Sequence, residues 1–266
     1  MANAHRARKR FGQNFLNNEQ TIQRLVSAIS PQPQDQLIEI GPGLAAMTQP
    51  LLERVDKMEV IELDRDLIQR LQQLDPSGSK LIIHQGDALK FDFSDTADAR
   101  RVVGNLPYNI STPIIFHLLE HLPCIVDMHF MLQKEVVDRI CARPGERNFG
   151  RLSAMVQSQC CAQSLFEIHP QDFTPAPKVT SAFMRLNPYP QPLVSAHLRE
   201  DFAQMVKLVF TQPRKTLANN LKKTLSIEQI EALDIDPSTR PQNLHIEQLI
   251  QLTQCKKNSC QKNSLK

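Results

Sequence analysis

Leu37-Ile38-Glu39-Ile40-Gly41-Pro42-Gly43 has the pattern of a short buried strand that ends in a glycine-rich turn. Because glycine has no Cβ atom, the backbone of such a turn can approach a ligand closely. A helical stretch follows to about Val55, and a second apolar strand, Met58 to Leu63, comes after it. A strand, a glycine turn, a helix and a second strand make a βαβ unit, which indicates a parallel sheet.

The same alternation continues along the chain. Further apolar strands are predicted at Leu81–Ile83, Arg101–Val103 and Ile125–Leu132, with helical patterns between them. After about Pro190 the pattern contains helices and no strand. We therefore predict an α/β fold followed by a small all-α domain. The predicted divisions are a basic tail over 1–10, an α/β domain over 11–190, a helical domain over 191–255 and a disordered polar tail over 256–266.

The composition is that of an ordinary globular chain. The 266 residues include 31 Lys and Arg against 28 Asp and Glu, and 41% are hydrophobic, which excludes a wholly disordered or collagen-like chain. No apolar run approaches the roughly 18–20 residues that a bilayer crossing needs. No apolar segment follows the basic N-terminus, so it does not resemble a secretory signal. We expect a cytoplasmic protein without a membrane partner.

Six cysteines and one histidine pair require an interpretation. None of the cysteines forms a C-x-x-C pair, so they indicate neither a zinc framework nor a disulfide scaffold. Buried or incidental thiols in a reducing cytosol are expected instead. His117 and His121 lie four residues apart on a predicted helix, as two metal ligands can. No third ligand is evident in the sequence, so we predict no metal site.

Two carboxylates are predicted at the ends of the second and third strands. Glu62 lies 62 − 41 = 21 residues after Gly41, where a carboxylate can accept both hydroxyls of a ribose. Asp87 follows the third strand and should lie at the same edge of the sheet, with a simple turn cap as the alternative. A diphosphate ligand favours more glycine than Gly41 and Gly43 provide. We predict an adenosine-type ligand without diphosphate, and a tight turn without a ligand is the alternative.

Asn105-Leu106-Pro107-Tyr108 follows the fourth strand and is the most specific pattern in the chain. The exocyclic amine of adenine is a poor nucleophile, because its lone pair is delocalised into the ring. A carboxamide oxygen and a backbone carbonyl can accept its two N–H hydrogens, which favours a tetrahedral nitrogen. A proline fixes the neighbouring backbone, and an aromatic ring can stack on a base that has left its helix. A plain turn between strand and helix is the alternative.

Two further segments have both a functional and a structural interpretation. Phe173-Thr174-Pro175-Ala176-Pro177 predicts a stiff loop, from which Phe173 can close over a base or lie in the core. From Met205 to Leu225 the chain has no acidic residue and several basic ones, some of them on a predicted helix, Arg214–Lys223. These basic residues predict a phosphate-contacting surface, with a solvated helix face as the alternative. The residues concerned are Arg214, Lys215, Lys222 and Lys223.

Taken together, these motifs resemble the ribosomal RNA adenine dimethyltransferase family, specifically its bacterial small-subunit branch. The resemblance covers nearly the whole chain, and its opening and Asn-Leu-Pro-Tyr motifs are together highly specific. The matching segments, in the family's order and at its usual spacing, are Arg10–Leu16, Glu39–Gly43, Glu62, Gly86–Ala88, Asn105–Tyr108, Phe173–Ser181, Lys215–Leu217 and Asn219–Leu221.

The resemblance implies a Rossmann-like, mostly parallel sheet of seven strands with a small helical domain. It also implies that the Asn105 and Pro107 region accepts hydrogens from the target N6 amine, and that Tyr108 and Phe173 sandwich the adenine. The implied cofactor is S-adenosylmethionine, and the residues implied to hold it are Asn14, Leu16, Gly41, Gly43, Glu62, Asp87 and Asn105.

The implied activity is the transfer of two methyl groups to N6 of each of two adjacent adenosines. The implied target is a hairpin loop near the 3′ end of 16S ribosomal RNA, within a precursor of the small ribosomal subunit. The implied contacts to this RNA come from the basic residues between Arg214 and Lys223. We expect the protein to be a monomer.

Three other functions remain open at this point. A large-subunit RNA adenine methyltransferase shares the catalytic motifs, so only the C-terminal domain and the RNA target separate it from the main interpretation. A DNA adenine methyltransferase is disfavoured, because no target-recognition insert is visible. A ribosome assembly factor that needs no turnover is opposed by the intact Asn105–Tyr108 motif, although both roles can coexist.

Overall fold

The computed structural model describes residues 14–94 and 99–264, with side chains up to Ser259. The predicted basic tail over 1–10 and the first part of the opening motif, Arg10–Gln13, lie outside the described residues.

The strands of the described chain form one large and one small sheet. They are β1 (Phe15–Leu16), β2 (Leu37–Ile40), β3 (Met58–Glu62), β4 (Leu81–Gln85), β5 (Arg100–Asn105), β6 (Ile125–Gln133), β7 (Cys160–Ile168), β8 (Phe173–Thr174) and β9 (Ser181–Pro188). The seven-stranded sheet has the order β4-β3-β2-β5-β6-β9-β7. β2 to β6 pair in parallel, and β9 is antiparallel to β6. The predicted α/β fold with a mostly parallel sheet of seven strands is confirmed.

The strand order alone indicates where a ligand site lies. β2 is buried at all four positions and lies between β3 and β5. From β2 the chain builds outward through β3 and β4, and then returns to the other side of β2 with β5 and β6. In open α/β sheets ligands bind outside the carboxyl ends of the strands, at the point where the order reverses. That point lies at the ends of β2 and β5, which the glycine turn and the Asn105–Tyr108 motif follow.

Helices with local capping signals accompany the sheet. Asn18 caps the first helix by accepting a hydrogen bond from the Thr21 amide, and Asp64 caps the third by accepting one from the Asp66 amide. The helices from this part of the chain are α1 (Glu19–Ile29), α2 (Thr48–Leu52), α3 (Arg65–Gln72), α4 (Ser111–Glu120) and α5 (Lys134–Cys141).

The small sheet joins the start of the described chain to a distant loop. β1 pairs antiparallel with β8, so that Leu16 faces Phe173 in the register. The adjoining Asp172 carboxylate accepts hydrogen bonds from the Asn18 amide group at 2.7 Å and from the Thr21 hydroxyl at 3.0 Å. These bonds hold the segment before α1 against the loop that precedes β9.

The chain divides into two compact units, and their boundaries correct the predicted domains. The first unit comprises the chain up to Val137 together with Gln163–Pro188. The second comprises Asp138–Ala162 together with the chain from Tyr189 onward. The prediction of one α/β domain over 11–190 is therefore wrong for residues 138–162, whereas the predicted change of structure near residue 190 falls beside an observed boundary.

Contacts within the second unit explain why Asp138–Ala162 belongs to it. The Tyr189 amide donates to the Gln159 carbonyl at 2.9 Å, and the Phe149 and Phe210 rings lie 6.1 Å apart. The helices of this unit are α6 (Arg151–Gln157), α7 (Arg199–Val209), α8 (Leu217–Leu221), α9 (Ile227–Glu231) and α10 (Ile246–Ser264). No helix in the described part of the chain has both the length and the apolar character that a membrane crossing requires.

The last helix also corrects the predicted disordered tail over 256–266. α10 continues to Ser264, so most of that segment is helical. Two contacts hold the first residues of the segment 256–266. The Lys257 ammonium lies 2.8 Å from the Asp201 carboxylate, and the Gln229 side chain donates to the Ser259 hydroxyl at 3.0 Å. The polar composition indicated disorder because the residues that hold this segment, Asp201 and Gln229, lie far away in the sequence.

Gly104→Ala should destabilise the protein, because a Cβ atom at this position would lie 2.7 Å from the Ile40 carbonyl oxygen on the neighbouring strand. That atom belongs to the backbone and cannot move without disturbing the sheet. Overpacking of this kind costs about 1–3 kcal/mol. Urea unfolding measures the loss, and Gly86→Ala is the control, because a Cβ atom there meets no other atom within 4 Å. Equal stability of the two variants would contradict the close approach of β2 and β5.

Candidate active site

A cavity of about 370 Å³ opens at the carboxyl ends of β2, β3, β4 and β5. It lies where the strand order reverses, as the topology predicts. All of its lining residues belong to the first unit. Most of the predicted site residues line it together: Asn14, Leu16, Gly41, Gly43, Glu62, Asp87, Asn105, Pro107 and Tyr108.

The glycine turn after β2 needs its glycines for two reasons. Gly41 and Gly43 both have positive φ angles, +68° and +59°, which favour glycine. In addition, a Cβ atom on Gly43 would lie 3.3 Å from the ring of Phe15, which forms the adjacent cavity wall. The turn is tied to the next strand by the Gly41 amide, which donates to the Ile61 carbonyl at 2.9 Å. The backbone therefore comes close to the cavity with no side chain in the way.

Glu62 connects the glycine turn with the loop after β3. One carboxyl oxygen accepts a hydrogen bond from the Gly43 amide at 3.3 Å, and the other accepts one from the Asp64 amide at 2.7 Å. Burial raises the pKa of Glu62 above its ordinary value, although these backbone donors oppose the shift. A carboxylate fixed from two sides at a strand end can accept ribose hydroxyls with its remaining lone pairs.

Asp87 combines the two interpretations that the sequence left open. Its carboxylate accepts a hydrogen bond from the Leu89 amide at 3.0 Å and so caps a short 3₁₀ turn. Asp87 also lines the cavity, between Gly86 and Ala88. The preceding Gly86 amide donates to the Glu62 carbonyl at 3.0 Å, so the two acidic residues are joined through the backbone.

Asn105 is held in a defined orientation at the end of β5. Its side-chain amide donates to the Asn14 carbonyl at 3.1 Å, across the cavity wall. Because this bond fixes the nitrogen side of the carboxamide, it also orients the side-chain oxygen, which is the acceptor of the group. The following backbone is also constrained: the Pro107 carbonyl accepts from the Ile110 amide at 3.1 Å, and the Tyr108 carbonyl accepts from the Ser111 hydroxyl at 3.2 Å.

Tyr108 lines the cavity, whereas Phe173 does not. The Tyr108 hydroxyl hydrogen-bonds to the Ser181 hydroxyl at 2.7 Å, and burial raises the Tyr108 pKa. Phe173 is only 3% exposed and packs in the hydrophobic core that contains Leu16. The predicted sandwich of a base between Tyr108 and Phe173 is therefore not formed by this arrangement. Phe173 belongs to β8, where it is paired in register with Leu16 of β1.

Glu39 is a cavity residue to which the sequence interpretation gave no role of its own. It lies in β2, is 1% exposed and accepts a hydrogen bond from the Thr48 hydroxyl at 2.7 Å. Burial raises its pKa from 4.5 to about 7, and the nearby Glu62 carboxylate adds to the shift. The sequence did contain a signal for a role of Glu39, since it is the charged residue of an otherwise apolar strand. Carboxylates are rarely buried without a partner or a function.

The charge of the cavity favours a cation. Its lining contains three carboxylates, from Glu39, Glu62 and Asp87, and no Lys, Arg or His. A diphosphate would be repelled here, whereas an adenosine linked to a positively charged group fits the donor and acceptor set. Among the described residues, no group of three or more His, Cys, Asp and Glu side chains is placed to hold a metal ion.

The predicted RNA-contacting residues lie in the second unit and are all exposed: Arg214, Lys215, Lys222 and Lys223. The predicted helix Arg214–Lys223 is shorter than expected, since α8 spans only Leu217–Leu221. The basic residues therefore occupy the turns before and after α8. Asn220 fixes the first of these turns, donating to the Gln212 and Thr216 carbonyls at 3.1 Å each.

A second basic segment of this unit escaped the sequence interpretation. Arg143, Arg147 and Arg151 are exposed at intervals of four residues. Their loop packs within the second unit, where the Gly145 amide donates to the Gln242 carbonyl at 2.8 Å. Arginine at every fourth position was the signal in the sequence. The predicted boundaries, however, placed these arginines in the α/β domain and not in the helical domain.

The model of the family described as "Ribosomal RNA adenine dimethylase" matches residues 4–258. The chain belongs to this family. "Ribosomal RNA small subunit methyltransferase A" of Pseudomonas aeruginosa is 51% identical over 251 residues, covering 93% of this chain and 94% of that protein. The protein of the same name from Hydrogenovibrio crunogenus is 50% identical over 255 residues, covering 94% and 96%. The family identifies the protein as an S-adenosylmethionine-dependent methyltransferase, which fits the cationic preference of the cavity.

Solved structures agree with this assignment. A dimethyladenosine transferase from Plasmodium falciparum is 25% identical with a TM-score of 0.78, covering 90% of this chain and 95% of that one. The 23S rRNA methyltransferase ErmE, at 24% identity and a TM-score of 0.74, covers 92% of this chain and shares the fold.

Glu39→Gln should flatten the pH dependence of stability. The folded-state pKa of Glu39, about 7, lies above the ordinary value of 4.5. The protonated side chain therefore contributes stability that is fully present below pH 4.5 and is lost as the pH rises through 7. Across this window the wild type should lose roughly 3 kcal/mol relative to the variant. Urea unfolding at a series of pH values measures the difference, and parallel profiles of the two proteins would contradict the assignment.

Proposed function

We propose that this protein dimethylates N6 of two adjacent adenosines in a hairpin loop near the 3′ end of 16S ribosomal RNA, within a precursor of the small subunit. The observation that carries the proposal is the orientation of Asn105. Its amide nitrogen donates to the Asn14 carbonyl, and this bond orients the carboxamide oxygen to accept a hydrogen from the adenine amine. Family membership gives the reaction class, and the cavity supplies the groups it needs.

The cofactor, when bound, supplies an electrophilic methyl group on a sulfonium. We assign its ribose to Glu62, which already accepts hydrogen bonds from the Gly43 and Asp64 amides and is thus held in place. Asp87 is assigned to the adenine end, because it follows the next strand of the sheet. The other cofactor-binding residues are assigned from the family motif and from their place in the cavity lining: Asn14, Leu16, Gly41, Gly43 and Asn105.

Activation of the target amine requires two acceptors. We assign the first to the Asn105 oxygen and the second to the Leu106 carbonyl, because the Pro107 and Tyr108 carbonyls already accept hydrogen bonds from Ile110 and Ser111. Pro107 fixes the backbone on which this carbonyl lies. Two accepted hydrogens bring the nitrogen lone pair out of conjugation with the ring. The nitrogen becomes acidic once it is methylated, so no strong base is needed.

The target base must leave its helix to reach the cavity, because its amine is otherwise paired or stacked. Tyr108 is the aromatic side chain placed to stack on it. Phe173 is buried in the core cluster that also contains Leu16, a residue of the cavity lining. A second stacking contact from Phe173 is not part of the proposed mechanism.

The small subunit is favoured over the large subunit as the substrate by the closeness of the relatives. Proteins about 50% identical over nearly the whole chain carry small-subunit names, whereas the large-subunit enzyme ErmE shares the fold at 24% identity. A role limited to subunit assembly leaves the oriented Asn105 unexplained. We further propose that the protein acts as a monomer in the cytoplasm, where its subunit precursor is assembled.

RNA recognition is assigned to the second unit. The exposed residues Arg214 and Lys215 precede α8, and Lys222 and Lys223 follow it. Basic side chains in turns on both sides of one short helix can contact successive phosphates of an RNA backbone. The exposed arginines at 143, 147 and 151 belong to the same unit and extend this set.

The proposed function is tested by incubating the protein with labelled S-adenosylmethionine and small subunits that lack the modification. Label should appear as N6,N6-dimethyladenosine at two adjacent positions near the 3′ end of 16S RNA. Large subunits and fully modified small subunits serve as controls and should remain unlabelled. Label on large-subunit RNA, or on cytosine or ribose, would refute the assignment.

Asn105→Ala should abolish most turnover, because the amine then loses an acceptor that acts in the transition state. Removal of one such preoriented group costs roughly 2.7–4 kcal/mol. Single-turnover methylation measures the loss, with calorimetry to correct for any weaker cofactor binding. Asn109→Ala is the matched control, since it removes the same group from a neighbouring cavity residue. A rate within about twofold of wild type in the Asn105 variant would refute its role.

Replacing Arg214, Lys215, Lys222 and Lys223 together by Ala should weaken particle binding and leave cofactor binding unchanged. Each lost phosphate contact should reduce the slope of log K against log salt concentration by about 0.7–0.9. Filter binding at several salt concentrations measures both effects. The matched control replaces four exposed basic residues of the first unit, Arg54, Lys57, Arg65 and Arg70. If both quadruple variants keep the wild-type slope, the segment around α8 is an ordinary solvated surface.

A further inference from the structure

The cavity contains a buried carboxylate that the proposed chemistry of the amine does not use. Glu39 lies in the middle of the sheet, paired in register with Val60 on β3 and Val103 on β5. Its side chain is held by the Thr48 hydroxyl, which donates to one carboxyl oxygen. Among the described residues no Lys or Arg forms a salt bridge with it, and none lines the cavity. Such a residue is costly to the fold, because a buried charge without a cation loses its hydration.

The cofactor and its product differ by one positive charge. S-adenosylmethionine carries a sulfonium, whereas the product that remains after methyl transfer carries a neutral thioether. Both molecules share the adenine, the ribose, the carboxylate and the amino group. The carboxylates of Glu62 and Asp87 lie at the ends of β3 and β4, whereas Glu39 is within β2 and beside the glycine turn. A buried carboxylate without a cationic partner therefore distinguishes the two molecules by charge alone.

We propose that Glu39 makes the cavity prefer the sulfonium cofactor over its neutral demethylated product. Methyl transfer removes the cation that Glu39 stabilises, so the product is held less tightly than the cofactor and leaves more readily. Each further methyl transfer requires exchange of the product for fresh cofactor. The inference rests on the cofactor of the family and not on the proposed RNA target.

Ionisation of Glu39 should then be linked to cofactor binding. Its pKa of about 7 means that it is partly protonated near neutral pH in the free protein. A bound cation lowers this pKa, so cofactor binding should release protons, whereas product binding should release fewer. The other ionisable groups of the cavity are Glu62 and Asp87, with Asp64 next to Glu62 on the same loop. Burial also raises the pKa of Glu62, so its contribution needs a separate variant.

Calorimetry with the free protein and no RNA tests the proposal. The quantity measured is the ratio of the dissociation constants of S-adenosylhomocysteine and S-adenosylmethionine. At about pH 8, where Glu39 is ionised, Glu39→Gln should reduce this ratio roughly tenfold, the order expected for unit charges about 10 Å apart at an effective dielectric constant of about 20. In the wild type the ratio should fall towards that of the variant at about pH 6. Titrations in buffers of different ionisation enthalpy should detect the released protons.

Two variants provide the controls. Glu62→Gln should weaken both ligands, because they share the ribose, and should change the ratio less than Glu39→Gln does. Glu53→Gln removes an exposed carboxylate beside α2 and should alter neither affinity. An analogue that carries an ammonium in place of the sulfonium should bind like the cofactor. If it binds like the product in the wild type, contact with the methyl group and not charge is responsible, and the proposal fails.

Two other results would overturn the proposal. One is a ratio within twofold of wild type in a folded Glu39→Gln protein. The other is a wild-type ratio that does not change across the titration of Glu39. The second measurement needs no variant, so the proposal remains testable if Glu39→Gln does not fold. Neither result depends on which RNA is methylated, so failure of the proposed RNA target would be recognised separately.

Discussion

The two backbone hydrogen bonds accepted by the Glu62 carboxylate determine the shape of the site. They tie the amide of Gly43, in the turn after β2, to the amide of Asp64, in the loop after β3. The parallel register of β2 and β3 brings these two loops to the same edge of the sheet. The Gly86 amide then joins the loop after β4 to the Glu62 backbone. Three successive loops are thereby fixed around one residue, which is consistent with a preorganised ligand site.

The opposite side of the cavity depends on a contact between distant parts of the chain. Asn105 at the end of β5 donates to the Asn14 carbonyl, 91 residues earlier. The Asn14 segment leads into β1, which is paired with β8. The carboxamide that is proposed to activate the target amine is therefore oriented by the opening motif. This explains physically why the opening motif accompanies the Asn-Leu-Pro-Tyr motif in one sequence.

Features with local causes were predictable from the sequence. The bounds of α1 and the Asp64 cap follow from side chains within a few residues of the helix ends. The positions of Glu62 and Asp87 follow from strand ends, because parallel strands bring their carboxyl ends to one edge. The functional motifs came in part from the family resemblance, which also supplied the number of strands.

Features with distant causes were not predictable. Residues 138–162 belong to the second unit because of partners near residues 189, 210 and 242. The burial of Phe173 depends on pairing with a strand that begins more than 150 residues earlier. In each case the local sequence permitted two arrangements, and a long-range contact selected one.

The interrupted layout of the two units has a consequence for synthesis on the ribosome. β9 is the last strand of the large sheet to be made, yet it lies between β6 and β7. The sheet thus stays incomplete, with an exposed edge on β6, until residue 188 has left the exit tunnel. The segment 138–162 emerges earlier still and must await the helices after residue 189. Such a chain depends on protection of its unpaired edge and apolar surfaces while it grows.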